Sequence, residues 1–282
     1  MNQEFRNLTN RWVAGKLPAR PLDANKGTFG KVLVIAGSEN FPGAAYLCCA
    51  AAYRVGAGLV TLITEKEVKT VVSKKLPEVT FLSFSEVFEK LNHYDVVLLG
   101  PGLGQSKNLV EFVDRFLKER LSKTVIDGDG LNILSKKQNW WEKLNGEVVL
   151  TPHPGEMARL TDLSIDEIQA NREEITKHFA KKWNKIVVLK GANTVIVSPG
   201  GEVGVSPFAN PALATAGTGD VLSGIIAGLI AQGLKPFDAA CCGVYIHGMA
   251  GEEIKQNMGD AGVLASDLLP FLPGILKKLR QS

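Results

Sequence analysis

Short apolar runs and amphipathic segments alternate along most of this chain, and the alternation restricts the folds that it can adopt. Six of the apolar runs are predicted to be parallel strands: 31–37, 58–64, 79–84, 94–100, 124–127 and 147–150. A helix that ends near Gly56 lies between the first two, and a strand–helix–strand unit of this length forms a right-handed crossover. The pattern predicts an α/β fold, a doubly wound and mostly parallel sheet with helices on both faces.

A second kind of pairing is expected later in the chain. The apolar runs 185–191 and 194–198 are separated only by Ala192 and Asn193, so they form an antiparallel pair, and 203–205 is a candidate third strand. Residues 1–25 are polar and are predicted to form a short helix and an extended arm. Since no linker or repeat follows, 26–282 is predicted to be a single domain.

Helix boundaries are read from capping residues. Ser106 is expected to cap a helix with one apolar face. Ser164 and Glu167 have the spacing of a capping box, which predicts a helix reaching about Trp183. Two further helices are expected, over 237–256 and from Ser266 onward.

Composition limits the function classes. With 45% hydrophobic and 22% charged residues, the chain resembles an ordinary soluble globular protein. Its net charge of +3 gives no reason to expect nucleic acid or a membrane surface as a partner. The N-terminus lacks the apolar stretch of a signal peptide, and no apolar run reaches the ~20 residues of a membrane span. A cytoplasmic location is therefore expected.

The cysteines form two adjacent pairs, 48–49 and 241–242, inside apolar, alanine-rich segments. Zinc sites usually show a CxxC-like spacing, which is absent here. Buried free thiols in a reducing compartment are the expected state.

Unusual residues follow five of the predicted strands, where doubly wound sheets bind their ligands. These segments are 37–38, 100–104, 127–132, 151–156 and 190–191. A dinucleotide site of the GxGxxG type is rejected, because five residues separate Gly37 from Gly43. The clustering instead predicts a different ligand site at this edge of the sheet.

One segment of the chain, Asn210 to Gly233, combines phosphate-binding and acid–base features. Gly217, Thr218 and Gly219 run directly into an apolar helix, and backbone N–H groups at a helix start attract anions. Asp220 comes next, although a carboxylate beside a phosphate would repel it. Its presence predicts a proton acceptor placed next to a phosphate site.

Six motifs together resemble one known family. KVLVIAGSENFPGA, LLGPGLG, VIDGDGLN, LTPHPGE, KGANT and NPALATAGTGDVLSG are similar to the ADP-dependent NAD(P)H-hydrate dehydratases, which belong to the ribokinase-like superfamily. They occur in the family's order between about residues 26 and 265. GTGD alone is a weak signal, whereas TPHPGE, KGxxT and GTGD at these spacings are specific.

The resemblance implies a repair reaction on NADHX and NADPHX, the hydrated forms of reduced nicotinamide cofactors. ADP would phosphorylate the ring hydroxyl of the S epimer, and loss of phosphate would then regenerate NADH or NADPH. Asp220 would accept the hydroxyl proton, and Gly217, Thr218 and Gly219 would form the anion hole.

The same resemblance implies the other site residues. The adenine nucleotide would be bound by Gly219 together with Lys190, Gly191, Ala192, Asn193 and Thr194. The hydrate would be bound by Asp220 together with Ala44, Gly104 and His153. Glu156 would organise Mg²⁺, directly or through water.

Several of these positions have a structural alternative. Ala44 is equally compatible with helix packing, and Gly104 with closing a turn. Asp127 and Asp129 fit loop formation as well as a role near phosphate or metal. Lys190 could extend its ammonium group to solvent from a strand end, and KGANT makes a good tight turn. His247 is expected to be structural.

The chain departs from the family pattern in two ways. Gly128 and Gly130 stand where the family often has alanine. Many relatives also carry a fused epimerase domain, for which about 25 N-terminal residues leave no room, so a separate NAD(P)HX epimerase is expected as functional partner. The family likeness further implies a homotetramer, and it is the sole source of the preference for ADP over ATP.

Two other functions are alternatives to the dehydratase interpretation. A ribokinase-like kinase of thiazole or pyrimidine-alcohol type would use the same GTGD chemistry and release a phosphorylated product. A nucleotide-sensing binding protein without turnover is disfavoured, since a pure binder would gain from losing the charge of Asp220 beside phosphate.

Overall fold

A single ten-stranded sheet runs through the computed structural model of the chain, which describes residues 5–119 and 123–281. The strand order is β1-β10-β9-β8-β7-β6-β5-β2-β3-β4. The strands are β1 (Phe5–Asn7), β2 (Lys31–Ile35), β3 (Leu59–Ile63), β4 (Thr80–Phe81), β5 (Val96–Leu99), β6 (Lys123–Ile126), β7 (Glu147–Leu150), β8 (Ile186–Leu189), β9 (Val195–Val197) and β10 (Val203–Val205).

The strand directions agree with the predicted fold class. Strands β8, β7, β6, β5, β2, β3 and β4 are parallel, each to its neighbour. Strand β9 is antiparallel to β8 and to β10, which confirms the predicted pair and its third member. Strand β1 was not predicted. It pairs in parallel with β10 at the edge of the sheet, and three residues are too few to show a hydrophobic period.

Helices cover both faces of the sheet, which explains why the central strands are mainly apolar. They are α1 (Asn10–Ala14), α2 (Pro42–Arg54), α3 (Lys66–Lys75), α4 (Val87–Lys90), α5 (Lys107–Phe116), α6 (Asp129–Ser135), α7 (Trp140–Lys143), α8 (Pro154–Thr161), α9 (Ile165–Ala170), α10 (Arg172–Trp183), α11 (Thr218–Ala231), α12 (Pro236–Met258) and α13 (Leu272–Arg280).

The helix predicted from Ser164 to Trp183 is wrong in one respect, because it is two helices. The capping box of Ser164 and Glu167 starts α9 as expected. The chain then leaves the helical conformation at Asn171, whose φ is −133° and ψ is 42°, and α10 starts at Arg172. Asparagine favours such a break because its side chain competes for nearby backbone groups; here its side-chain nitrogen donates to the carbonyl of Glu167 at 3.4 Å.

Two other helix predictions need correction. Ser106 precedes α5 as expected, but its side chain makes no capping hydrogen bond. The segment from Ser266 begins as a short 3-10 turn, and α13 starts only at Leu272. Pro270 accounts for the delay, because it lacks the backbone N–H that a continuing helix would use, whereas Pro273 lies in the first turn of α13, where that N–H is not needed.

Close packing between α11 and α2 fixes the helix that carries Asp220. A Cβ on Gly224 would lie 2.3 Å from the carbonyl oxygen of Cys48, and one on Gly228 would lie 2.9 Å from that of Ala52. Only glycine allows the backbones to approach so closely. The four cysteines are buried thiols, as predicted, in this region and its neighbour α12. Among the helices of the described ranges, none is long and apolar enough to cross a membrane.

Candidate active site

A cavity of about 720 Å³ opens where β6, β7 and β8 end and α11 begins. This volume is within the range of sites that bind small molecules and cofactors. Most of the predicted site residues line it, namely His153, Glu156, Lys190, Gly191, Ala192, Thr194, Gly217, Thr218, Gly219 and Asp220. The position of the cavity follows the rule that ligands bind at the carboxyl ends of parallel strands.

The turn before α11 requires glycine. Gly217 has a φ of 93°, and a Cβ there would lie 2.7 Å from Cδ1 of Leu47. The hydroxyl of Thr218 lies 2.8 Å from the carbonyl oxygen of Leu213 and 2.9 Å from that of Thr215, so it holds the loop. The first N–H groups of a helix have no intrahelical acceptor. The Thr218 amide donates to the carbonyl of Thr215 at 3.3 Å. The amides that follow it, and the positive end of the α11 dipole, can be offered to an anion in the cavity.

Asp220 is placed to act as a base near neutral pH. Burial raises its pKa to about 7, with a further contribution from the negative charge of Asp127 and an opposing one from Lys190. A carboxyl group with this pKa is half ionised at pH 7 and can accept a proton from an alcohol in a transition state.

Lys190 joins the carboxylates at the floor of the cavity. Its Nζ lies 2.6 Å from Oδ1 of Asp127 and 3.7 Å from Oε2 of Glu156. Burial by itself would lower the pKa of Lys190, but the attraction of these carboxylates outweighs it and the pKa is raised. The side chain is 16% exposed, which argues against the alternative of an ammonium group extended to solvent. We call Asp127, Glu156, Lys190 and Asp220 the charged cluster.

His153 and Glu156 form the capping box of α8. Nδ1 of His153 accepts from the amides of Gly155 at 3.0 Å and Glu156 at 3.3 Å, and the His153 amide donates to Oε2 of Glu156 at 2.8 Å. Burial, Lys190 and Arg159 lower the pKa of His153. The imidazole is thus neutral, with its proton on Nε2. This capping role was missed in the sequence, although Pro154 and Glu156 at the first and third helical positions are its signature.

Glu156 itself is buried, at 5% exposure. Burial raises its pKa to about 7, and Asp127 adds to the rise while Lys190 opposes it. Asp127, with 2% exposure, is equally enclosed. The cluster therefore places three carboxyl groups around one ammonium group, and a cationic ligand or a proton would relieve their repulsion.

The KGANT segment is a tight turn between β8 and β9, as its composition suggested. Gly191 and Asn193 have φ values of 135° and 51°. The Asn193 side chain donates to the carbonyl of Ser206 at 3.2 Å, and Asn193 does not line the cavity. Among the residues predicted to bind the nucleotide, Asn193 is thus the one that the cavity leaves out.

Ala44 and Gly104 also lie outside the cavity lining. Ala44 lies in the first turn of α2 and Gly104 in the loop after β5, and a Cβ on Gly102 in that loop would be 2.7 Å from that of Ala44. The Gly104 amide donates to Oδ2 of Asp129 at 2.8 Å. We call residues 100–104 the glycine loop. Asp129 also accepts from Gln105 and Asn132, which favours the loop-forming interpretation of this aspartate.

Sequence reasoning missed the apolar wall of the cavity, formed by Leu213, Leu222, Phe208, Val244 and Gly248. A Cβ on Gly248 would lie 2.2 Å from the ring of Phe208, so this glycine makes room for the aromatic side chain. Gly248 itself was the only signal of this wall in the sequence.

His247 was expected to be structural, and its hydrogen bond is consistent with that. Its Nε2 lies 2.9 Å from the Thr218 carbonyl, and burial lowers its pKa to about 4.

The donor set at this site fits a magnesium ion that also binds a nucleotide. Within the described residues, no group of three or more His, Cys, Asp or Glu side chains is arranged to hold a metal ion. Mg²⁺ in nucleotide sites, however, commonly takes one or two carboxylates and completes its shell with phosphate oxygens and water. The buried carboxylates of Asp127 and Glu156 supply that number.

Comparison with known proteins assigns the chain to a family. The family model described as NAD(P)H-hydrate dehydratase matches residues 32–273. A bifunctional NAD(P)H-hydrate repair enzyme of Moorella thermoacetica is 41% identical over 98% of the chain and 54% of its own length. The chain thus spans about half the length of this relative. An ADP-dependent (S)-NAD(P)H-hydrate dehydratase of Bacillus subtilis is 34% identical over 99% of both chains.

Solved structures agree with this assignment. A Bacillus subtilis ADP/ATP-dependent NAD(P)H-hydrate dehydratase, co-crystallized with ATP and Mg²⁺, superposes with a TM-score of 0.89 at 34% identity and covers 99% of each chain. A ribokinase of Thermotoga maritima has a TM-score of 0.58 at 13% identity and covers 89% of this chain and 99% of its own. The second likeness shows the fold alone, and together they confirm the ribokinase-like architecture.

Proposed function

Since the chain belongs to the NAD(P)H-hydrate dehydratase family, we propose that it converts the S epimers of NADHX and NADPHX to NADH and NADPH. ADP is the co-substrate, and AMP and phosphate are the other products. One observation carries the proposal. Asp220 lies in the first turn of α11, on the wall of a nucleotide-sized cavity, with a pKa of about 7.

The reaction balances in two steps. The ring hydroxyl oxygen attacks the terminal phosphorus of ADP, Asp220 takes the hydroxyl proton, and AMP leaves. The amides of Gly217, Thr218 and Gly219 stabilise the charge that develops on the transferred phosphoryl group. The C–O bond of the phosphate ester then breaks as the neighbouring carbon loses a proton, which restores the ring double bond. Phosphorylation is needed because hydroxide is a poor leaving group.

The two ligands occupy neighbouring parts of the sheet edge. Lys190, Gly191, Ala192, Asn193 and Thr194 hold the adenine nucleotide together with Gly219. The hydrate lies toward Ala44, Gly104 and His153, where the neutral imidazole of His153 can donate from Nε2. Asp220 lies between the two ligands, because the start of α11 lines the nucleotide cavity and the same helix packs against α2, which carries Ala44.

Magnesium is proposed as the cofactor of the nucleotide. Glu156, directly or through water, and Asp127 would hold it, and bound Mg²⁺ would neutralise charge on the phosphates. Its arrival would compete with Lys190 for the same two carboxylates. The ATP and Mg²⁺ present in the Bacillus subtilis crystal support this part of the proposal.

The setting of the reaction is proposed on family likeness. The enzyme acts in the cytoplasm as a homotetramer, and a separate NAD(P)HX epimerase supplies the S epimer. Relatives named as bifunctional repair enzymes support the link between dehydration and a second repair activity. The preference for ADP over ATP also belongs to this proposal.

Dehydration is preferred to a simple kinase reaction. The relative that matches the chain over 99% of both lengths is named a dehydratase, at 34% identity. A hydroxyethylthiazole kinase of Pyrococcus horikoshii has a TM-score of 0.62 at 13% identity, which supports the fold alone.

The decisive experiment is a spectrophotometric assay with chemically hydrated NADH, ADP and Mg²⁺. Recovery of dihydronicotinamide absorbance, with equal amounts of AMP and phosphate, is the expected result. A stable phosphorylated product without absorbance recovery would indicate the kinase reaction instead. No recovery with either ADP or ATP would refute the proposal.

A further inference from the structure

Arg172 forms an unusual contact with the strand end that carries Lys190. Its guanidinium group donates from Nη2 to the carbonyl of Leu189 at 2.8 Å and to that of Lys190 at 3.1 Å, and from Nη1 to Oε1 of Gln169 at 2.6 Å. The break at Asn171 makes this possible, because it starts α10 at Arg172 beside the end of β8. A continuous helix from Ser164 would place the arginine elsewhere.

The charge of Arg172 has no carboxylate partner in the described parts of the chain. Arg172 forms no ion pair with any Asp or Glu among the described residues. Its Nε is buried without a hydrogen-bond partner. Burial accordingly lowers the pKa of Arg172. A part-buried cation that is satisfied only by neutral carbonyls and an amide is costly. Simple anchoring of a helix would not require it, so the contact with β8 calls for a specific explanation.

The carbonyls that Arg172 binds belong to the main chain from which the Lys190 side chain extends. The Lys190 amide donates to the carbonyl of Pro152 at 2.9 Å on one side, and its own carbonyl accepts from Arg172 on the other. The main chain of Lys190 is therefore held from two directions. Its side chain reaches Asp127 and lies close to the phosphate-binding turn, since a Cβ on Gly219 would be 3.3 Å from Nζ.

Gly191 completes the arrangement. Its φ of 135° turns the chain into the cavity, and a Cβ there would lie 3.3 Å from Nη1 and Nη2 of Arg172. The guanidinium group thus fills the space on the far side of the turn that lines the cavity. Its position rules out a larger side chain at Gly191 without displacement of the arginine.

We propose that Arg172 is a positioning residue for the phosphoryl-transfer site, which acts by fixing the backbone of Leu189 and Lys190 so that the Lys190 ammonium group faces the nucleotide phosphates. This inference rests on the proposed function for the identity of the nucleotide. Arg172 contacts neither substrate, and its effect passes through Lys190.

A double-mutant cycle measures that dependence. The dissociation constant of ADP is determined by calorimetry for the wild type, Arg172→Met, Lys190→Met and the double variant. Each single substitution is expected to weaken ADP binding on the order of tenfold, as for a lost charge-assisted hydrogen bond. If Arg172 acts through Lys190, adding Arg172→Met to Lys190→Met weakens binding less than twofold further. Multiplication of the two losses would overturn the inference.

Matched variants separate positioning from general destabilisation. Arg172→Lys retains one donor and is expected to recover part of the ADP affinity that Arg172→Met loses. Arg115, exposed on α5 and packed over Phe88, provides the control, and Arg115→Met should leave the ADP affinity unchanged. Melting curves ensure that each protein is folded at the assay temperature. An equal loss of affinity in Arg172→Lys and Arg172→Met would contradict the positioning role.

The assay also distinguishes this inference from the proposed function. ADP binding with coupled losses but no recovery of NADH from its hydrate would refute the dehydratase activity and leave the role of Arg172 intact. Normal turnover, with losses of ADP affinity that simply multiply in the double variant, would refute the role of Arg172 and leave the dehydratase activity intact. In steady-state kinetics, Arg172→Met should raise the KM for ADP more than it lowers kcat, and an effect confined to kcat would contradict the inference.

Discussion

The charged cluster and the glycine loop lie on neighbouring strand ends but are built in different ways. The cluster gathers Asp127, Glu156 and Asp220 around Lys190, and burial raises the pKa values of two of its carboxyl groups to about 7. The loop at 100–104 is shaped instead by glycines at positive φ and by one aspartate, Asp129, that accepts its amide. We infer that the first region performs chemistry through charge, whereas the second accommodates a ring through backbone shape. Substitutions of the carboxyl groups in the cluster should therefore affect kcat, whereas substitutions in the loop should affect the KM for the hydrate.

The largest expected effect comes from the charged cluster. Asp220→Asn keeps the size of the side chain but removes the proton acceptor, and kcat for hydrated NADH should fall about 10²- to 10⁴-fold. The affinity for ADP should be kept or improved, because a negative charge beside the phosphates is lost. Asp166→Asn, which changes another first-turn acid on α9, is the control and should retain full activity. Retained turnover in Asp220→Asn would refute the assignment of the base.

An effect of intermediate size is expected in the glycine loop. Gly102 has a φ of 56°, and a Cβ there would lie 2.7 Å from Ala44 and from Phe41. Gly102→Ala should raise the KM for the hydrate roughly tenfold while the ADP affinity stays unchanged, since a backbone strain of about 1–3 kcal/mol would displace the loop.

The control for that substitution is Gly233→Ala, because Gly233 has a φ of 97° but no atom within 4 Å of the added Cβ. Alanine at Gly233 is also strained by a positive φ, but without the crowding. A loss of ADP affinity in Gly102→Ala, or an equal rise of the hydrate KM in both variants, would remove the proposed division between the two regions.

The pH dependence tests the charged cluster without a mutation. Asp220 must be ionised to accept a proton, and its pKa is about 7. The kcat/KM should therefore fall as pH decreases below about 7, approaching tenfold per pH unit. A rate that stays constant down to pH 5 would show that the group that limits the reaction has an ordinary carboxyl pKa.

The smallest expected effect concerns stability. The folded-state pKa of Asp220 is raised from 3.8 to about 7, so the folded protein binds this proton more tightly than the unfolded chain. The group therefore favours folding at low pH, and that contribution is lost as pH rises from about 4 through 7. Asp220→Asn should raise Tm by a few degrees at pH 8, by less at pH 5, and hardly at all at pH 4. Equal Tm values at pH 8 would argue against the burial of a charge there.

The sequence predicts most of the fold because the relevant signals are local. Apolar runs identify β2, β3, β5, β6 and β7, and two intervening residues are enough to predict the antiparallel pair of β8 and β9. Strand β1 escaped prediction because a three-residue edge strand depends on pairing with Val203–Val205, about 200 residues away. The break at Asn171 is a competition between an asparagine side chain and the helix, which the capping box at Ser164 conceals.

The site was predicted only in part, because several of its contacts join residues that are distant in the sequence. Motifs identify the segments that hold Asp220, Lys190 and Glu156, but the direction of the Lys190 side chain depends on Asp127, which follows another strand. The contact of Arg172 with Leu189 depends on how α10 packs against β8. Phe208 and Gly248 complement each other across 40 positions of the chain, and no periodicity connects them.

The glycines of α11 have a consequence for redesigning the enzyme. Because Gly224 and Gly228 bring α11 against the backbone of α2, the separation between Asp220 and Ala44 is set deep in the core. A larger substrate could not be accommodated by moving these helices apart, since that would open a void between them. Directed evolution toward bulkier rings should therefore yield changes in the loops after β2 and β5, and few in the two helices.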